Sequence, residues 1–463
     1  MPLNKLFWQA ALIALLALSL LPAAAEEAAP LISLPDLGSP NRASFSQQQE
    51  DVLSLAFLEA VYQQADLITD PELNDYIRDI GAKLLRHVHS NRKFQFYIIK
   101  DDSINAFAGP GGIIAIHSGL ILAAKREDEL AAVMAHEIEH VQQEHLSRMF
   151  DNGKKGMIPT IAGLVGALLV GSQSPQAAMA MVLGGIGYSA QQQLTFSRDN
   201  EWEADRIGID VLHAAGYDPN AMADFFDTLS NRYRNDSKAP EMLMSHPVTG
   251  KRISDSRARA RTLTLKSKAK TENLDLAQIR LKQLLGQTQT LSDAKQACYQ
   301  QHIAHNLEKR TLTAPNCNEL PQHKLSRLVL LQNQSAFNES AWQELIDLYP
   351  NNTAIRLRFA EALIDNNQTE KAIKQLTPFA HSVNERWALW EPIARAWHSL
   401  GDDASEAYSM ANAYASIGAL KLAIIQIDRA EKQADSSHQP HLKQHIEALK
   451  SSLLMQEKQR KAL

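Results

Sequence analysis

The sequence has almost no cysteine, no basic excess and no apolar run long enough to span a membrane. The two cysteines, Cys298 and Cys317, lie far from the chain's histidine motif, and a pair alone makes no zinc site. They form a candidate disulfide, with a loop whose closure would contribute on the order of 3 kcal/mol. Lys and Arg number 47 against 52 Asp and Glu, for a net charge of −5, so nothing argues for nucleic acid as a partner. The apolar run Ala10–Leu21 falls short of the ~20 residues of a spanning helix.

That run has the form of a secretory signal peptide over residues 1–25. Lys5 supplies charge ahead of it, and Ala23, Ala24 and Ala25 offer small residues for cleavage. No cysteine follows the cleavage site, which argues against a lipoprotein anchor. Two further apolar stretches, 159–170 and 177–187, are separated by the polar break 171–176. Their readings are a pair of short helices packed on the core, or a lid or peripheral membrane-facing hairpin across 159–187.

What is present centres on Ala135-His136-Glu137-Ile138-Glu139-His140-Val141, an H-E-x-x-H motif. Two imidazoles four residues apart share one helix face, which suits two ligands of a tetrahedral zinc ion. Glu137, just off that face, is placed to act as general base. Leu130, Val133, Met134 and Val141 recur at helical spacing, so the helix, expected over about Glu127 to Met149, should be buried.

Two histidines leave zinc short of a protein ligand. A third histidine six residues past His140 is excluded, because Leu146 stands there; His145 is one residue off and reads as a surface residue. A carboxylate from a later helix is the other solution. In Ser197-Arg198-Asp199-Asn200-Glu201-Trp202-Glu203-Ala204-Asp205, Glu201 and Asp205 share a face. Glu201 can ligate, and Asp205 can accept a hydrogen bond from a ligating histidine. Glu203 points away. His117 reads as structural.

Before the motif, the pattern suggests a helix from near Gln47, a second capped by Asp70-Pro71, and strands at 94–99 and 113–116. The glycine-rich connection 105–112 joins the strands. After about residue 265 the chain is nearly all helical. Ala360, Leu363 and Asn367 recur 34 residues later as Ala394, Trp397 and Gly401, the period of tetratricopeptide repeats, and about four helix pairs are expected. Such arrays offer concave surfaces to protein partners. Trp387, Trp390 and Trp397 are candidates to line one, although aromatic residues at helical spacing more often belong to a core.

The AHEIEHV and SRDNEWEAD helices, the NAFAGPGG segment and Ser245-His246-Pro247 together resemble the gluzincin-type zinc peptidases, the group of the CAAX prenyl proteases and HtpX. The resemblance implies a mainly α protein: a zincin-type metalloprotease domain with a small β-sheet over 26–265, then an α-helical tetratricopeptide-like domain over 266–463. It implies one Zn2+ held by His136, His140 and Glu201, with Glu137 as base and Asp205 orienting a ligand. It places His246 near the metal, to stabilise an oxyanion or to occupy the fourth position and keep the enzyme latent. With the signal peptide and helical C-terminal half, the chain is similar to periplasmic members that serve outer-membrane β-barrel assembly. The implied partners are stalled β-barrel clients and the assembly machinery. The alternative is mainly a chaperone or scaffold with latent proteolysis.

Overall fold

A computed structural model describes residues 47–145, 198–233, 242, 246–264, 272–307, 317, 319–334, 336–382, 387–437 and 439–462. The expected signal peptide and the 159–187 stretch lie outside the described residues.

Helix α1 (Gln47–Gln64) is followed by α2 (Pro71–Leu85). Asp70 caps α2 by accepting the Leu73 N–H at 3.0 Å, and Pro71 takes the first helical position, where no amide donor is needed. Strands β1 (Gln95–Ile99), β2 (Ala106–Gly109) and β3 (Ile113–His117) form one sheet in the order β1-β3-β2. β3 pairs parallel with β1 and antiparallel with β2. Only two strands were expected. β2 is too short to carry an alternation signal, and its pairing with β3 creates it. Phe96, Ile98, Ile114 and Ile116 face one apolar cluster, while Tyr97, Ile99, Ile113 and Ala115 face another with Phe57 and Val61 of α1. Cover on both faces explains why β1 and β3 read as continuous apolar runs.

Helices α3 (Ser118–Ala123) and α4 (Glu127–Gln142) follow. Every residue from Glu127 to Val141 is buried. The acidic first turn of α4 lies at the positive end of its dipole. α4 is shorter than expected. It ends at Gln142, and Glu144 turns the chain with φ 56°. Helices α5 (Arg198–Ala214), α6 (Ala221–Tyr233) and α7 (Gly250–Arg261) complete the surroundings of α4. Leu274, Ala277 and Leu281 of α8 (Glu272–Leu284) join the same core.

Helices then succeed one another: α9 (Ala294–Leu307), α10 (Lys324–Gln332), α11 (Glu339–Leu348), α12 (Thr353–Asp365), α13 (Thr369–Ser382), α14 (Trp387–Ser399), α15 (Asp403–Ser416), α16 (Leu420–Ser436) and α17 (Pro440–Ala462). The starts of α12 and α14 keep the repeat spacing read from the sequence. Ala360, Ala372, Ala394, Ala411 and Ala423 are buried where helices approach. Trp390 is core; Trp387 and Trp397 pack half-buried against that core, and the Trp387 ring lies 6.2 Å from Tyr62 of α1. Cys298 and Cys317 are joined as a disulfide with their Cα atoms 5.9 Å apart. Among the described residues no helix is long and apolar enough to cross a membrane.

Candidate metal centre

The motif histidines lie in the C-terminal half of α4, on the face that meets α5, with His140 in its last turn. His136 Nε2 and His140 Nε2 are 2.9 Å apart. From the first turn of α5, Glu201 brings Oε1 to 3.4 Å from His140 Nε2 and Oε2 to 3.6 Å from His136 Nε2. His246 enters from the segment before α7. Its Nδ1 lies 3.3 Å from His136 Nε2 and 2.9 Å from Glu201 Oε1. These four residues are buried, and their donor atoms fall within 4.8 Å of one another. A zinc ion with bonds of about 2.0–2.1 Å would separate tetrahedral ligand atoms by roughly 3.3 Å. The observed separations bracket that value, so the donor set fits zinc.

Asp205, one turn beyond Glu201, sits behind the first histidine. Its Oδ1 is 2.9 Å from His136 Nδ1. Arg252 of α7 holds Asp205 with two hydrogen bonds, Nε to Oδ2 at 2.7 Å and Nη2 to Oδ1 at 2.8 Å. Its Nη1 lies 2.7 Å from Glu201 Oε2 and donates to the Pro247 carbonyl at 3.0 Å. One guanidinium thus ties the carboxylates of α5 to the segment that carries His246.

This geometry can be set beside known proteins. Residues 71–260 match peptidase family M48. The chain is 31% identical over 430 residues to the beta-barrel assembly-enhancing protease of Escherichia coli (strain K12), covering 87% of each. It is 32% identical over 416 residues to the protein of that name from Yersinia pestis, covering 84% of this chain and 86% of the other. The chain belongs to peptidase family M48. A shorter similarity, 30% over 164 residues, links it to the mitochondrial metalloendopeptidase OMA1 of Schizosaccharomyces pombe, covering 35% of this chain and 46% of that one.

As an M48 protein the chain is a metallopeptidase, and the electrostatics of its site suit that chemistry. Burial raises the pKa of Glu137, and the neighbouring His246 and His136 only partly offset the rise. Glu201 behaves in the opposite way. Burial works to raise it, but His246 and His140 outweigh burial and hold its carboxyl well below the ordinary value. Burial, with His136 beside it, pushes the His140 imidazole down, towards the neutral form a metal ligand needs. For His246, burial alone would lower the pKa, and the Glu201 and Glu137 charges reverse this and raise it. His246 Nε2 lies 3.7 Å from Glu137 Oε1.

His117 keeps its structural reading. It is buried at the end of β3, 2.7 Å from Ser103 Oγ. His145 does not keep its surface reading. It is fully buried, and its Nδ1 lies 2.8 Å from His140 Nδ1. On a continuing helix, a residue five places on would point about 140° away from His140. The turn at Glu144 folds it back instead. A histidine so soon after the motif was the one signal that could have found it.

Proposed function

We propose that the chain is a periplasmic zinc-dependent endopeptidase, with a catalytic part over 26–265 and a tetratricopeptide-like part over 266–463. His136, His140 and Glu201 hold one zinc ion, and Asp205 orients His136. The observation that carries this reading is the convergence of four buried donor atoms beside Glu137. Zinc there supplies Lewis acidity to a peptide carbonyl and to water. Glu137, its pKa raised, takes the proton of the attacking water and delivers it to the leaving amine. Arg252 fixes Asp205 and Glu201 in place.

His246 is a latency device in this reading. Its Nδ1 sits among the other donors, where it would serve as a fourth zinc ligand in place of water. The name of the relatives, beta-barrel assembly-enhancing protease, supports outer-membrane β-barrel proteins as clients and their assembly machinery as the partner of the helical array. A peripheral membrane contact through 159–187 belongs to the same reading.

The test is metal content and casein cleavage of the purified chain beside Glu137→Gln and His246→Ala. One zinc per chain, cleavage lost in Glu137→Gln and raised in His246→Ala, is the expected outcome. No zinc would sink the reading. Zinc without cleavage in any protein would move the function to a scaffold built on the helical array.

A further inference from the structure

Resting on the zinc reading above, we infer that His145 and Glu203 form a relay behind His140 that selects its metal-competent tautomer and holds its ring in place. The argument starts from the far end. Glu203 of α5 brings Oε2 to 3.0 Å from His145 Nε2. An ionised carboxylate only accepts, so a neutral His145 carries its one proton on Nε2. The His145 Nδ1 lone pair then faces His140 Nδ1 at 2.8 Å and accepts from it. His140 therefore carries its proton on Nδ1. Its Nε2, which faces His136 and Glu201, then presents its lone pair to the metal position.

The opposite arrangement would put the His140 proton on Nε2 and close that nitrogen to a metal. It would also set the unprotonated Nε2 of His145 against the Glu203 carboxylate, lone pair against lone pair. Glu203 thus decides which nitrogen of a residue it does not touch is available. The two motif histidines are both backed by an acid. Asp205 lies directly behind His136, whereas Glu203 acts on His140 through His145. Burial makes the relay matter, because His145 is 0% exposed and bulk water cannot stand in for a lost partner there.

His145 and Glu203 are positioning residues, and zinc retention reads their role without any assay of cleavage. The experiment is zinc affinity by chelator competition on the full chain, with the melting temperature of each metal-free protein recorded alongside. Glu203 is 38% exposed, so Glu203→Ala leaves packing intact. It should weaken zinc binding about tenfold, and His145→Leu by about 10–100-fold, and the metal-free melting temperatures separate that loss from any change in stability. His145→Gln keeps a carbonyl oxygen for the His140 Nδ1–H and should recover most of the loss. Wild-type protein that binds one zinc, with Glu203→Ala and His145→Leu binding it as tightly, would overturn the relay alone. Wild-type protein that binds none would overturn the zinc reading as well.

Discussion

Arg358 of α12 grips Glu72 of α2 through two hydrogen bonds, Nε to Oε1 at 2.9 Å and Nη2 to Oε2 at 2.8 Å. Arg280 of α8 does the same to Asp70, with Nε to Oδ1 and Nη2 to Oδ2 both at 2.7 Å, and its Nη2 also reaches Glu72 Oε2 at 2.9 Å. The acids that open α2 therefore do two jobs. They start the helix that packs beneath the sheet, and they bind the helical array to the catalytic part. Removing one member of a buried pair costs about 3–5 kcal/mol, because the other charge is left uncompensated. Arg280 still covers Glu72 when Arg358 is gone, so Arg358→Met should cost about 3 kcal/mol. The urea unfolding midpoint measures this. A loss under about 1 kcal/mol would show the pair to be screened like a surface one.

Gly418 makes a second tie between the same two parts. It has φ 77°, and a Cβ added there would stand 2.0 Å from the Leu55 carbonyl oxygen of α1. Gly401 has φ 73° and nothing within 4 Å of such a Cβ. The pair separates backbone strain from close approach. Gly401→Ala should cost about 1–2 kcal/mol, the strain of a left-handed alanine. Gly418→Ala carries that strain plus a clash with backbone, so its melting temperature should fall well below that of Gly401→Ala. Equal losses would mean that α1 yields freely.

Asp205 is held between His136 and Arg252, and its removal has two separable effects. Asp205→Ala takes the carboxylate from behind His136 and should weaken zinc binding about 10–100-fold. It also leaves Arg252 buried with one fewer anion, so the metal-free protein should be less stable. Asp205→Asn keeps an oxygen at the site and should fall between. Chelator competition reads the first effect and metal-free urea unfolding the second. Unchanged zinc affinity in Asp205→Ala would remove its orienting role.

The parts of the molecule that were legible in the sequence are those where one local rule decides. The spacing of His136 and His140 puts two imidazoles on one face wherever the helix goes. Asp70-Pro71 announces a helix start, and the 34-residue recurrence from Ala360 to Ala394 announces stacked helix pairs. What stayed hidden depends on distant partners. β2 exists because β3 pairs with it. Glu72 and Arg358 are 286 residues apart, and singly each reads as a solvated charge. His145 was misread because its direction depends on where α4 stops, and one left-handed residue, Glu144, sets that. Glu203 did lie off the ligand face, as expected, but what it faces could not be named before His145 was placed.

The stability of the α10 cap should depend on pH through His323. Its Nδ1 accepts the Leu325 N–H at 3.2 Å, which requires a neutral ring on that side. Burial, reinforced by the Lys324 charge beside it, pushes the imidazole down to about 4 from 6.5. The folded chain thus binds this proton less readily than the unfolded chain. Between those two values the unfolded state carries more protons, and stability rises with pH. The contribution of His323 is complete above about pH 6.5 and is lost as pH falls towards 4. Asn accepts the same N–H and does not titrate, so His323→Asn should flatten this part of the decline. The measurement is the urea midpoint of both proteins at intervals from pH 7.5 to about 4.5, across the window that linkage defines. Parallel curves for the two proteins would show that His323 titrates alike in both states, and the cap would then owe nothing to its neutral form.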